Sequence, residues 1–143
     1  MILKNNKTID EEKEKGLLSE QEAKILIVDD EKDIRKLVGI YLKKQGYKTL
    51  EAENGQMAID IMKEHSDIDL VIMDIMMPVM DGITLCRQLK EDVRTSHIPV
   101  ILLTAKDSLQ DKEEGYEVGA DSYLTKPFSA SLLRSRINNL LES

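Results

Sequence analysis

The chain has 143 residues, 41% hydrophobic and 33% charged, with a formal net charge of −7, which fits one compact domain with a full core and a short appendage. The acidic balance, with no Lys/Arg cluster, argues against direct binding to nucleic acid or to an anionic membrane surface, since both need a basic patch. No apolar run approaches the roughly 20 residues that span a bilayer, Met1 to Asn6 are too short and polar for a signal peptide, and a single cysteine forms no internal disulfide. A cytoplasmic chain is the simplest expectation.

Residues 1–22 are dominated by Asp, Glu and Lys, with Ile9, Leu17 and Leu18 as spaced apolar residues. They read as a charged N-terminal linker or extension outside the core, and residues 23–143 as the domain. Ser19 and Glu22 match a capping box by spacing, but a strand-like run follows them and chance explains the match.

The pattern becomes regular from Lys24. Ile25-Leu26-Ile27-Val28 is a short β-branched apolar run, a buried strand ending in Asp29-Asp30. Ile34, Leu37, Val38, Tyr41 and Leu42 recur at helical spacing and close at Gly46. Tyr47 to Ala52 predicts a second strand. Asn54-Gly55 turns into a second amphipathic helix carrying Met57, Ala58, Ile61 and Met62. Leu70-Val71-Ile72-Met73 is long enough for a strand buried on both faces and too short for a helix, and it ends abruptly in Asp74. Gly82, Leu85, Cys86 and Leu89 mark a third helix, in which Cys86 reads as a small buried hydrophobe. Pro99 introduces the strand Val100-Ile101-Leu102-Leu103, ending in Thr104. A polar helix from Leu109 to Val118 has a thin stripe, mainly Leu109 and Tyr116, and is expected to be the most loosely held. Ser122 to Thr125 is a fifth strand, closed by Lys126-Pro127. The last helix carries Ala130, Leu133, Ile137, Leu140 and Leu141 on one face, with Leu132 off that stripe and available to a partner surface.

Five apolar strands alternating with five helices imply an α/β, doubly wound parallel sheet with right-handed crossovers. Ligands of such sheets bind outside the carboxyl ends of the strands. Those ends supply Asp29, Asp30, Asp74, Thr104 and Lys126. Three crowded carboxylates need compensation, and a few hard oxygen ligands with room for water suit Mg²⁺ better than zinc. His65 and His97 lie away from the strand ends and read as surface residues. A cation held by acids and flanked by Lys126 and Thr104 makes a pocket for a phosphoryl group, whose transfer needs charge neutralisation and in-line positioning more than acid/base machinery.

Asp29-Asp30, the segment Asp74-Ile75-Met76-Met77-Pro78-Val79-Met80-Asp81-Gly82, Thr104-Ala105 and Lys126-Pro127-Phe128 stand together in an order that resembles the response-regulator receiver domain of two-component signalling. The resemblance covers about Ala23 to Leu141. It implies a flavodoxin-like sheet of strand order 2-1-3-4-5. By the same resemblance Asp74 is the phosphoacceptor, Asp29, Asp30, Asp74 and the backbone carbonyl of Met76 hold Mg²⁺, Lys126 and Thr104 bind phosphoryl oxygens, and Tyr123 with Thr104 forms the switch. Lys126-Pro127 resembles the family's cis peptide. The implied partners are a histidine kinase or phosphotransfer domain and an output domain or effector, with a phosphorylation-dependent homodimer through the fourth helix, fifth strand and fifth helix as a further expectation.

Two departures stand out. Met57 and Ser122 occupy positions where the family often has acids, and Met76 and Lys106 resemble positions that tune acyl-phosphate lifetime. An aspartyl-phosphate phosphohydrolase is the enzymatic rival, but such enzymes resemble a pattern with a second acid two residues after the nucleophile, where this chain has Met76. A nucleotide or flavin module is disfavoured because no P-loop lysine motif and no G-x-G occurs. The segments 96–106 and 115–121 look similar to receivers in hybrid sensor kinases, so a fragment of a longer signalling chain is favoured over a free-standing receiver.

Overall fold

The computed structural model describes residues 23–105 and 109–142, with the side chains of 109–112 outside the description. Within them five strands alternate with five helices: β1 (Lys24–Val28), α1 (Lys32–Lys44), β2 (Lys48–Ala52), α2 (Gly55–Glu64), β3 (Leu70–Asp74), α3 (Gly82–Glu91), β4 (Val100–Thr104), α4 (Leu109–Glu117), β5 (Ser122–Thr125) and α5 (Ala130–Glu142). The strands form one parallel sheet in the order β2-β1-β3-β4-β5. This is the doubly wound order expected from the resemblance. The extension 1–22 and Lys106 lie outside the described residues.

Burial follows the order at the centre and at the β2 edge. Every residue of β3 and β4 is buried, as strands covered on both faces must be. Lys48 and Glu51 mark β2 as an edge, where charged side chains reach water. The sheet divides the core in two. One layer gathers Leu26, Val28, Val71, Met73 and Leu102 with buried residues of α2 and α3 and with Tyr123. The other gathers Ile25, Ile27, Ile72, Ile101 and Leu103 with α1 and α5. Successive strand residues point to opposite layers, which is why the runs are apolar without alternation.

Local chemistry sets the element ends. Past α1, Gly46 has φ 96°, its N–H donates to the Lys43 carbonyl and the Tyr47 N–H donates to the Leu42 carbonyl, a Schellman stop that only a residue without Cβ adopts freely. Asn54 and Asp81 are N-caps, their side chains accepting from the N–H groups of Met57 at 2.8 Å and Thr84 at 2.7 Å. The helices that the sequence places after Asn54-Gly55 and from Gly82 thus begin there, each on a side-chain cap.

Three stripe residues are misplaced by periodicity alone. Leu37 is 64% exposed, and Met57 and Tyr116 are exposed as well. Leu37 faces an open cleft between α1 and α5, next to Ile34, Tyr41 and Phe128. Tyr47, placed in β2 from sequence, precedes the strand, and its hydroxyl donates to Asn138 in α5 at 3.0 Å. Gly115 of α4 lies against the sheet, where a Cβ would collide with Leu102 and crowd the Tyr123 ring. A helix can lie that close only where it has no side chain. Cys86 is fully buried and burial pushes its thiol up to about 11, so it is the inert hydrophobe that the sequence indicates.

Candidate functional site

Parallel pairing brings the carboxyl ends of β1, β3, β4 and β5 to one rim. Asp74 is the last residue of β3 rather than the first beyond it: it pairs with Leu103, and the ladder continues as Ile75 N–H donates to the Leu103 carbonyl. The residue thereby stays buried, 5% exposed. Asp29 follows β1 and is buried too, while Asp30 is exposed. One carboxylate oxygen from each of Asp29, Asp30 and Asp74 lies within 4.8 Å of the others.

Lys126 reaches into this cluster from the end of β5. Its Nζ donates to Asp29 Oδ2 at 3.1 Å and lies 3.4 Å from Asp74 Oδ1 and 3.9 Å from Glu31. The Lys126–Pro127 peptide is cis. Burial works to lower the Lys126 pKa, but the negative charges of Asp74 and Asp29 outweigh it, and the net shift is upward. The second oxygen of Asp29 accepts from the Glu31 N–H at 2.9 Å. Burial pushes Asp74 up to about 6 despite the attraction of Lys126, with Asp29 and Asp30 adding to the rise. An acid in that condition gains most from a further positive charge beside it.

Thr104, buried at the end of β4, stands one strand away from Asp74, and its carbonyl accepts the Lys126 N–H at 2.6 Å. Tyr123 is buried in β5 with its ring 6.0 Å from that of Tyr116. Ser122, where an acid is common in the family, instead accepts from Arg136 at 2.9 Å, which ties α5 to β5. His65 and His97 lie outside the acidic group. Met76 is 69% exposed, so the position that a phosphohydrolase would fill with its acid holds an apolar side chain in solvent.

The donor set fits a hard divalent cation: three carboxylates converge, Asp30 opens the cluster to water, and neither sulfur nor imidazole is present. Lys126 places an ammonium between two of the same carboxylates, and Thr104 ends the neighbouring strand on the same rim. The arrangement can hold a tetrahedral oxyanion against Asp74.

Sequence reasoning missed two supporting residues, Arg35 and Glu51, and the packing role of a third, Gly82. Gly82 packs so tightly that a Cβ would overlap the Asp74 carbonyl oxygen, and its N–H donates to the Ile75 carbonyl at 2.8 Å. The motif names this glycine, but the close approach shows only in three dimensions. Arg35 donates to the Asp29 carbonyl at 2.8 Å and to Glu51 at 2.9 Å. Arg35 is outside the apolar stripe of α1 and Glu51 lies on the edge strand β2, where charge is ordinary.

Residues 25–138 match the family model for the response regulator receiver domain. The chain is 46% identical over 136 residues to histidine kinase P4 of Formosa agariphila, covering 94% of this chain and 10% of that protein. It is 47% identical over 117 residues to the phosphate regulon transcriptional regulatory protein PhoB of Pseudomonas aeruginosa, covering 82% of this chain and 51% of that one. The chain thus spans about half the length, or far less, of these relatives. Among solved structures, the receiver domain of a signal transduction histidine kinase from Syntrophus aciditrophicus superposes with a TM-score of 0.78 at 38% identity, covering 84% of this chain and 90% of that one. Chemotaxis protein CheY4 of Vibrio cholerae gives 0.79 at 32%, covering 84% and 99%. Fold, strand-end acids and family match together establish that this chain belongs to the response regulator receiver domains of two-component systems.

Proposed function

We propose that the domain, residues 23–143, accepts a phosphoryl group on Asp74 from a phosphohistidine of a histidine kinase or phosphotransfer protein. The observation that carries this reading is the convergence of Asp29, Asp30 and Asp74 with the Lys126 ammonium between two of them. An Asp74 carboxylate oxygen attacks phosphorus in line as the P–N bond breaks, and the electron pair leaves with the imidazole. The product is an acyl phosphate, which water later hydrolyses. Asp29 and Asp30, with Asp74 and the Met76 carbonyl, are the residues that would hold Mg²⁺, which when bound supplies positive charge beside the phosphoryl oxygens. Lys126 neutralises a second oxygen and Thr104 donates to a third.

The domain acts as a signalling element and not as an enzyme on external substrates, a reading supported by the exposed Met76. The apolar cleft of Ile34, Leu37, Tyr41 and Phe128 beside Lys126 offers the donor protein a place to dock. Phosphorylation would draw Thr104 inward and bias Tyr123, changing the α4-β5-α5 face that an output domain, effector or second copy reads. Leu132, exposed near the start of α5 and off its buried stripe, is available to such a partner. The lengths of the relatives support a place within a larger hybrid kinase or response regulator, with residues 1–22 as a charged connector. Among the described residues no helix is long and apolar enough to cross a membrane.

The test is labelling with a small acyl phosphate in Mg²⁺, read by intact mass. The wild-type chain is expected to gain one phosphoryl group, and Asp74→Asn none. Undiminished labelling of that variant, or labelling that proceeds unchanged in EDTA, overturns the assignment.

A further inference from the structure

We propose that Arg35 is a positioning residue of the acidic rim: by holding the Asp29 carbonyl against Glu51 it fixes the peptide that carries Asp30, and so sets the affinity of the three-carboxylate cluster for a divalent cation. The inference rests on the reading that Asp29, Asp30 and Asp74 bind Mg²⁺.

Arg35 lies in the first turn of α1, six residues after Asp29. Its fork is divided between two acceptors. Nη1 donates to the Asp29 carbonyl at 2.8 Å, and Nε donates to Glu51 Oε1 at 2.9 Å. The Arg35 side chain is 11% exposed and that of Glu51 is 22%, so this pair is better shielded than an ordinary surface ion pair. Glu51 belongs to β2, in register with Ile27 of β1. The next residue of β2, Ala52, accepts the Asp29 N–H at 3.1 Å. Asp29 is therefore tied to β2 through both of its backbone groups, once directly and once through the guanidinium.

The carbonyl that Arg35 holds belongs to the Asp29–Asp30 peptide. A peptide is planar, so fixing its oxygen fixes the direction in which the Asp30 Cα leaves. Asp29 needs no help at its carboxylate, which is held by the Glu31 N–H and by Lys126. Asp30 is exposed and has no comparable side-chain clamp among the described residues. Its place in the cluster depends on the backbone before it. Partners that orient metal ligands in this way commonly change affinity by about 10–100-fold when removed.

Charge alone points the opposite way. A guanidinium close to the acids repels a second cation, so its loss would strengthen Mg²⁺ binding if only electrostatics mattered. Lys36 stands within 3.4 Å of Glu51 and keeps that acid paired when Arg35 is replaced. Arg35→Lys retains the charge but not the planar fork that reaches two acceptors at once.

The experiment is calorimetric titration of the full chain with MgCl₂ alone, beside melting of each variant in EDTA. Arg35→Lys and Arg35→Met are both expected to weaken Mg²⁺ binding by about tenfold, and Arg35→Met/Glu51→Gln to be no weaker than Arg35→Met. Unchanged or tighter binding by a folded Arg35→Lys, whatever its melting temperature, overturns the role, since it reduces Arg35 to a stabilising ion pair. Asp30→Asn separates this outcome from failure of the metal site: if the wild-type chain binds no Mg²⁺, or Asp30→Asn binds as well as wild type, the site reading falls and the Arg35 role with it.

Discussion

Burial moves the Asp74 carboxyl from its ordinary 3.8 to about 6, against the attraction of Lys126 and with the repulsion of Asp29 and Asp30. The folded chain thus keeps a proton that the unfolded chain releases between those values. The contribution to stability is complete below pH 3.8 and is lost as the pH rises through 6. Two pKa units correspond to roughly 3 kcal/mol. In urea titrations with EDTA, Asp74→Asn is expected to be about 1–3 kcal/mol more stable than wild type at pH 8, with the difference closing toward zero near pH 4. Equal stability at both pH values would sink this account. At this scale the sequence was informative where an apolar run ended in an acid, as at Asp29 and Asp74. It was silent at Gly82 and Arg35, because a steric overlap and a carbonyl contact leave no mark on local hydrophobicity.

Elements were legible to within a residue or so because each strand is a short apolar run and each helix has a period. What periodicity cannot supply is which part of an apolar face a neighbour covers. Leu37 and Met57 satisfy the period yet face open surface, and Gly115 breaks it yet lies against Leu102 and Tyr123 of the sheet. Lys90 is a second example. It lies in the last turn of α3 and no motif includes it, but its Nζ donates to the Ile98 carbonyl at 2.7 Å, to Asp121 at 2.9 Å and to the Ser96 carbonyl at 3.3 Å. Asp121 also accepts the Val100 N–H at 2.8 Å. One ammonium thus joins α3, the entry to β4 and the turn into β5, at the rim opposite Asp74. Lys90→Met is expected to lower stability by about 2 kcal/mol while leaving Mg²⁺ affinity unchanged, as read by denaturation and titration. A stability matching wild type would show the clamp to be dispensable.

Over the whole molecule, strand composition indicated a doubly wound parallel sheet, but the order 2-1-3-4-5 came from the resemblance. Short apolar strands carry no label for their neighbours, and even the edge strand β5 is buried over Ser122 to Leu124. The order has a consequence in the time domain. Asp74 is rooted in β3, hydrogen-bonded on both sides by β1 and β4, whereas Lys126 follows β5, which is bonded on one side only. Amide hydrogens of β1 and β3 should exchange with deuterium only when the whole chain opens, and those of β5 and α4 through smaller openings that cost less. Uniform exchange across all five strands would contradict this. The pocket therefore has one fixed wall, bearing the three acids, and one hinged wall, bearing the ammonium. On the proposed function, a phosphoryl group on Asp74 would be anchored in the better-held wall and read by the less-held one.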